Sequence, residues 1–220
     1  MRRGRVTVNG KPSQPGQIVN PAVDRILVDG RPLMLRRPSV YVVMNKPAGI
    51  LTTVRDDRRR KTVLDALPGS RAGIFPVGRL DFRSRGLVLL TDDGELGLRL
   101  THPRYHVEKE YEVVVAGRPT EAALTRMRRG MGVESERFAP AQVRLVATTR
   151  TSSRFRMVLT EGRKREIRRM FAALGHPVID LVRVRMGPLR LGRLASGSVR
   201  PLNQGEIANL RRAVGLHPLQ

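Results

Sequence analysis

The pattern of apolar and polar positions changes character along the chain. Up to about residue 35 the apolar residues come in short clusters closed by turn signals. Arg5-Val6-Thr7-Val8 is followed by Asn9-Gly10, and Arg25-Ile26-Leu27-Val28 by Asp29-Gly30. Such pairs readily adopt the left-handed backbone of a tight hairpin turn, so the pattern predicts short strands joined by turns. The segment is too small to stand as a domain alone. Arg36-Arg37-Pro38-Ser39 reads as a linker, which divides the chain into residues 1–37 and a main domain over 38–220.

From Val40 the runs lengthen. Val40 to Met44 and Gly86 to Leu90 are continuous apolar stretches that suit buried strands, and Tyr111 to Val115 and Arg154 to Leu159 have strand composition. Between them lie helical signals. Asp92 with Glu95 resembles a capping box opening a helix through Leu100, and Thr120 caps a helix ending at Gly130. Asn203 with Glu206 opens a third, with Ile207, Leu210 and Val214 on one face. A fourth helix is expected from about Gly162 to Leu174. Its stripe Ile167, Met170, Phe171 and Leu174 faces a core, Arg165, Arg168 and Arg169 project from the other side, Gly175 ends it and Pro177 blocks continuation. Strands and helices do not alternate regularly enough for a doubly wound parallel fold, so the fold class is α+β.

Composition narrows the chemistry. Forty-two Lys and Arg stand against nineteen Asp and Glu, a formal net charge of +23. The excess is mostly arginine spread along the chain, which points to a folded face for a polyanion rather than a basic tail. There is no cysteine, which removes disulfides, thiolate metal sites and cysteine nucleophiles. No apolar run reaches the roughly 18 residues of a membrane helix, and the first residues carry no signal-peptide core, so a cytoplasmic protein that does not enter a membrane is expected. His102 and His106 are four apart, but Pro103 interrupts helical geometry and no metal site is expected. Asp56-Asp57 and Asp92-Asp93 read as turns and a cap rather than a two-carboxylate centre. No Gly-x-x-x-x-Gly-Lys loop is present.

Asp81 lies in a turn between the apolar stretch Ile74 to Val77 and the run Gly86 to Leu90. In isolation it is better explained as a turn-capping residue. The whole stretch Gly78-Arg79-Leu80-Asp81-Phe82-Arg83-Ser84-Arg85-Gly86-Leu87-Val88-Leu89-Leu90-Thr91-Asp92-Asp93-Gly94, however, resembles the catalytic segment of the pseudouridine synthases. Further segments agree in order. Val43 to Gly49 is similar to that family's first motif, Lys109-Glu110-Tyr111 to its Lys-x-Tyr segment, Glu161 to Met170 to its third motif, and Gly187 to Leu191 to the strand that follows. The resemblance is to the branch that modifies ribosomal RNA. The stretch His102 to Tyr111 is most similar to the B-type enzymes of the large subunit.

The resemblance implies a catalytic fold with a largely antiparallel mixed sheet flanked by helices. It implies Asp81 as the catalytic carboxylate and Arg168 as its partner, a guanidinium that favours and orients the ionised form. Tyr111 offers a ring to stack on uracil and a hydroxyl near C5, or it is a core strand residue. Arg79, Lys46, Lys109, Arg163, Arg165 and Arg169 lie in the matched motifs and are expected at the RNA, Lys46 with Pro47 forming the pocket floor. The isomerisation has no net redox change and no external donor, so no cofactor is expected. The implied partner is ribosomal RNA, of the large subunit by the B-type likeness, or an assembling ribosomal particle, met by a monomer. Val6 to Leu33 resembles the strand portion of an S4 domain. The two helices that normally precede those strands would fall before Met1, which implies a reduced module or a start further upstream. Two other readings use the same charge: a non-catalytic RNA-binding or ribosome-assembly protein, which needs no Asp81, and a glycosidase, which would release free uracil.

Overall fold

The computed structural model describes residues 5–20, 23–33, 39–67, 69 and 73–217. The expected linker residues Arg36 to Pro38 lie outside the described residues. The chain forms two compact units, Met1–Ser39 and Val40–Gln220.

In the first unit β1 (Val6–Val8), β2 (Lys11–Pro12), β3 (Ile26–Val28) and β4 (Arg31–Pro32) form one sheet in the order β2-β1-β3-β4. The turn residues act as the sequence suggests. Asn9 and Asp29 both take φ of 51°, each followed by a glycine with positive φ, as type I′ hairpin turns require. Arg5 pairs with Asp29 across this sheet.

The second unit is built on β5 (Tyr41–Lys46), β6 (Phe75–Val77), β7 (Arg85–Thr91), β8 (Lys109–Ala116), β9 (Met131–Val133), β10 (Glu136–Phe138), β11 (Gln142–Thr148), β12 (Ser152–Leu159), β13 (Val178–Met186), β14 (Leu189–Arg190) and β15 (Val199–Pro201). Its helices are α1 (Gly94–Thr101), α2 (Glu121–Arg128), α3 (Glu166–Ala173) and α4 (Gln204–Ala213). The main sheet has nine strands, with the path β11-β12-β8-β13-β7-β5-β15, β14 beside β13 and β6 beside β7. Within it only β13 and β7 run parallel. This is the expected α+β architecture with a largely antiparallel mixed sheet. No helix among the described residues is long and apolar enough to cross a membrane.

β7 is continuously apolar from Leu87 to Leu90 because both of its faces are covered there. Val88 and Leu90 join a core with Leu124 and Met127 of α2 and Ile167, Met170 and Phe171 of α3. Leu87 and Leu89 join a second core with Leu96 and Leu100 of α1 and Ile207 and Leu210 of α4. Gly86 opens the parallel contact with β13. Its φ is +105°, and an added Cβ would lie 2.3 Å from the carbonyl oxygen of Arg183, so only glycine lets the two backbones approach here.

Two helix starts differ from expectation. Asp93, not Asp92, caps α1, its Oδ1 accepting from Leu96 N at 3.0 Å. Asp92 instead accepts from Val40 N at 2.8 Å and ties the start of the β5 segment to the α1 entry. α3 begins at Glu166 rather than near Gly162, because Arg165 takes a left-handed conformation, φ 54° and ψ 27°, that cannot continue a helix. Residues 162–165 are thereby left as a turn. Thr120 and the Asn203–Glu206 capping box act as expected.

Candidate active site

Asp81 sits in the connection from β6 to β7, and the turn is closed by Ser84 N donating to the Asp81 carbonyl at 3.0 Å. Lys46, at the end of β5, lies fully buried behind it. Its ammonium donates to the carbonyls of Ser84 at 2.8 Å, Pro47 at 3.0 Å, Asp81 at 3.3 Å and Phe82 at 3.5 Å. Burial pushes this ammonium down to about 8, with the Asp81 charge opposing. The Thr52 hydroxyl holds the preceding residue, donating to the Leu80 carbonyl at 3.0 Å. The backbone carrying Asp81 is therefore fixed from below, while its carboxylate reaches a cleft.

Arg168 approaches from α3. Its Nε lies 3.7 Å from Asp81 Oδ2. Nη1 donates to the Val178 carbonyl and Nη2 to Ser84 Oγ, each at 3.3 Å. Nε itself is buried without a hydrogen-bond partner among the described residues. A carboxylate movement of about 0.8 Å would bring it to bonding distance. Burial lowers the Arg168 pKa, Asp81 opposing and Arg165 and Arg83 adding to the fall. Positive charge thus gathers around one carboxylate.

Tyr111 of β8 is buried and lines the same cleft as Asp81, with Leu159, Leu181 and Ile167 forming its apolar wall. The strand register explains this. Residues 109, 111, 113 and 115 of β8 point to covered sides, and Tyr111 stands beside Arg183 of β13 and Met157 of β12. Tyr111 is thus a core strand residue that also lines the cleft.

The remaining expected contacts divide. Arg79 and Arg165 are exposed, line the cleft and have no anionic partner among the described residues. Arg163 also lines it, but its guanidinium pairs with Glu161 at 3.1 Å. Arg169 pairs with Glu134 and Glu136 and lies over the Phe138 ring, so it braces the β9–β10 hairpin. Lys46 and Lys109 correct the expectation of RNA contact. Lys46 forms a floor, as stated above, and the buried Lys109 ammonium donates to the Val107 carbonyl at 3.0 Å. His102 caps a short 3-10 turn, its Nδ1 accepting from Arg104 N at 3.2 Å.

Ser84, Glu166 and Arg183 were not singled out in the sequence. Ser84 links the turn to Arg168, and its place three residues after Asp81 was the available signal. Arg183 is buried, donating to the Leu87 carbonyl at 2.8 Å. Glu166 lines the cleft from beneath and accepts from Arg163 N at 2.9 Å. Its other oxygen has no hydrogen-bond partner among the described residues. Burial pushes the Glu166 carboxyl up to about 7, the Arg163 bond opposing and the nearby Glu161 charge adding to the rise. At Glu161, burial is outweighed by the hydrogen bonds from Ala139 N and Arg163, and the carboxyl falls below its usual range.

A carboxyl raised on folding stabilises the fold below its ordinary value near 4.5 and loses that contribution as pH rises through about 7. Glu166→Gln keeps the neutral shape at every pH. The variant should gain about 3 kcal/mol over wild type at pH 8 and nothing at pH 4, measured by urea unfolding across that range. Equal slopes of stability against pH for the two proteins would show that Glu166 does not titrate in this window.

A pinned turn offering one carboxylate, an opposed arginine from a helix, and a ring-walled cleft among cations make a site for anionic substrates that carry a planar group. Comparison with known proteins agrees. The family model for RNA pseudouridylate synthase matches residues 40–173. An uncharacterized RNA pseudouridine synthase of Aquifex aeolicus is 41% identical over 215 residues, covering 97% of this chain and 86% of that protein. A ribosomal large subunit pseudouridine synthase B of Bacillus subtilis is 37% identical over 213 residues, covering 96% and 87%. A crystal structure of a pseudouridylate synthase superposes with a TM-score of 0.72 at 31% identity, covering 95% of this chain and 90% of that one. The matched region holds β5, the Asp81 turn, Tyr111 and α3 together, and the chain belongs to the RNA pseudouridine synthase family.

Proposed function

We propose that this enzyme isomerises uridine in ribosomal RNA, with Asp81 as the catalytic carboxylate, Arg168 as its orienting partner and Tyr111 as the ring beside the uracil. The observation that carries the reading is that Asp81 lines one cleft with Tyr111 while its Oδ2 lies 3.7 Å from the buried Arg168 Nε behind it. In the reaction the N1–C1′ bond breaks, the uracil turns, and C5 bonds to C1′. C5 loses its proton and N1 gains one, so atoms and electrons balance without a co-reactant. Asp81 acts as the nucleophile at C1′ or as the base at C2′. The Tyr111 hydroxyl is the group assigned to assist removal of the C5 proton.

The substrate class rests on the +23 charge and on the large-subunit enzyme named in Bacillus subtilis. Large-subunit RNA is the preferred target. The reacting uridine is taken from a loop or flipped out of a helix, at a cost of a few kcal/mol that phosphate contacts from Arg79 and Arg165 offset. The first unit serves as an S4-like RNA-binding arm, and the protein works as a cytoplasmic monomer.

The test supplies large-subunit RNA, small-subunit RNA and transfer RNA, each tritiated at uridine C5. Tritium is expected to enter water from the large-subunit RNA alone, with no free uracil. Release of uracil would make the protein a glycosidase. Tight RNA binding with no tritium release from any substrate would make it an assembly protein for free RNA.

A further inference from the structure

A second cleft adjoins the catalytic one and shares Arg79, Leu80, Asp81 and Arg165 with it; its other walls carry Phe82, Arg55 and Arg60. Phe82 directly follows Asp81, yet its side turns outward and the residue is 46% exposed. Scattered exposed apolar residues are ordinary on a protein surface. Phe82 differs in being held in a concave site on a fixed backbone. Its carbonyl accepts from Gly49 N at 2.9 Å and from the buried Lys46 ammonium.

The charge around the ring is shaped as well. Asp56 accepts from the backbone of Arg58 and Arg60 at 3.1 and 3.0 Å and from Arg60 Nη2 at 2.6 Å, which folds residues 56–60 into a turn. Arg55 lies 3.9 Å from Asp57, with both side chains almost wholly in solvent, so that contact leaves the guanidinium available. The cleft holds four guanidinium groups, of Arg55, Arg60, Arg79 and Arg165, against the carboxylates of Asp56 and Asp81. A flat apolar ring among cations is suited to an unpaired nucleotide, with the base stacked and the phosphate neutralised. An acidic peptide would use the cations and leave the ring without a role.

We propose that this cleft binds the nucleotide next to the reacting uridine, its base on Phe82 and its phosphate between Arg55 and Arg79. The inference rests on the proposed isomerase reading, which places the uridine in the first cleft. Because the two clefts share Asp81, a strand entering one passes directly into the other.

The chain contains no tryptophan, so Phe82→Trp yields a protein with a single tryptophan, at the site, which can be excited selectively beside the three tyrosines. Titrated with a ten-residue oligouridylate, its emission should be quenched by base stacking, whereas inorganic phosphate should leave it unchanged. Phe82→Ala should bind the oligouridylate roughly tenfold more weakly with the same salt slope, because a stack and not a phosphate contact is lost. On the tritiated RNA that variant should show a raised KM. Unquenched tryptophan at saturating oligouridylate, or quenching by phosphate alone, overturns the proposal. If the alanine variant fails to fold, the tryptophan variant decides. Quenching without tritium release from any RNA would remove the isomerase reading and leave the nucleotide site. Tritium release with an unquenched tryptophan would do the reverse.

Discussion

Asp81→Asn should lower the rate of tritium release by at least about four orders of magnitude while leaving the fold and RNA affinity nearly unchanged. The amide has the same shape, and the main-chain bonds that define the turn, Ser84 N to the Asp81 carbonyl and Lys46 Nζ to that same oxygen, do not involve the side chain. An amide is neither a nucleophile at C1′ nor a base at C2′, so both possible routes are lost. Replacing a nucleophile or its base commonly removes that much rate. RNA binding should hold or tighten slightly, since one negative charge leaves a cluster that includes Arg79, Arg165 and Arg168. Single-turnover tritium release beside a filter-binding titration separates the two effects. An asparagine variant retaining a tenth of the wild-type rate would exclude Asp81 as the reacting group. Loss of RNA affinity in parallel with rate would make it a binding residue.

What could be read from the sequence was local or carried by motif. β5, β7, β8 and β12 appeared as apolar or strand-rich runs because covered strands need such residues on one or both faces, and Thr120 and Asn203 announced their helices by capping chemistry. β13 was not read, although it lies between β8 and β7 at the middle of the sheet. Asp180, Arg183 and Arg185 interrupt its apolar pattern and look like solvated positions. Each has a partner that only the fold supplies: Arg85 for Asp180, the Leu87 carbonyl for Arg183, and Glu108 and Glu110 for Arg185. The same limit applies at the site. Asp81 and Arg168 are 87 positions apart and were joined by resemblance, whereas the sequence carried no sign that the Lys46 ammonium is spent on four main-chain carbonyls or that Arg169 pairs with two glutamates. Charge type is visible in a sequence; which charges are already paired is a tertiary property.

The inward Lys46 also sets the second large effect. Lys46→Met preserves length and apolar stem but removes the charged donor shared by the carbonyls of Pro47, Asp81, Phe82 and Ser84. Phe82 keeps a bond from Gly49 N and Asp81 one from Ser84 N, whereas the half-buried Pro47 carbonyl and the buried Ser84 carbonyl lose this partner outright. Unsatisfied buried acceptors cost about 1–3 kcal/mol each, reduced where the turn can relax toward solvent, so a net loss of about 3 kcal/mol is expected. For a unit of this size that lowers the melting temperature by roughly 6–12 °C. The relaxation carries the functional effect, since the freed turn is the one bearing Asp81. A displacement of about 1 Å at a reacting group can reduce rate by about a hundredfold. The variant should therefore show a lower kcat at temperatures where it is still fully folded, with RNA affinity less affected because Arg79 and Arg165 remain at the rim. Calorimetric melting together with single-turnover rates at 20 °C distinguishes the outcomes. A destabilised variant with wild-type kcat would mean that Lys46 supports the fold without positioning Asp81. An unchanged melting temperature would mean that the four carbonyls find other donors.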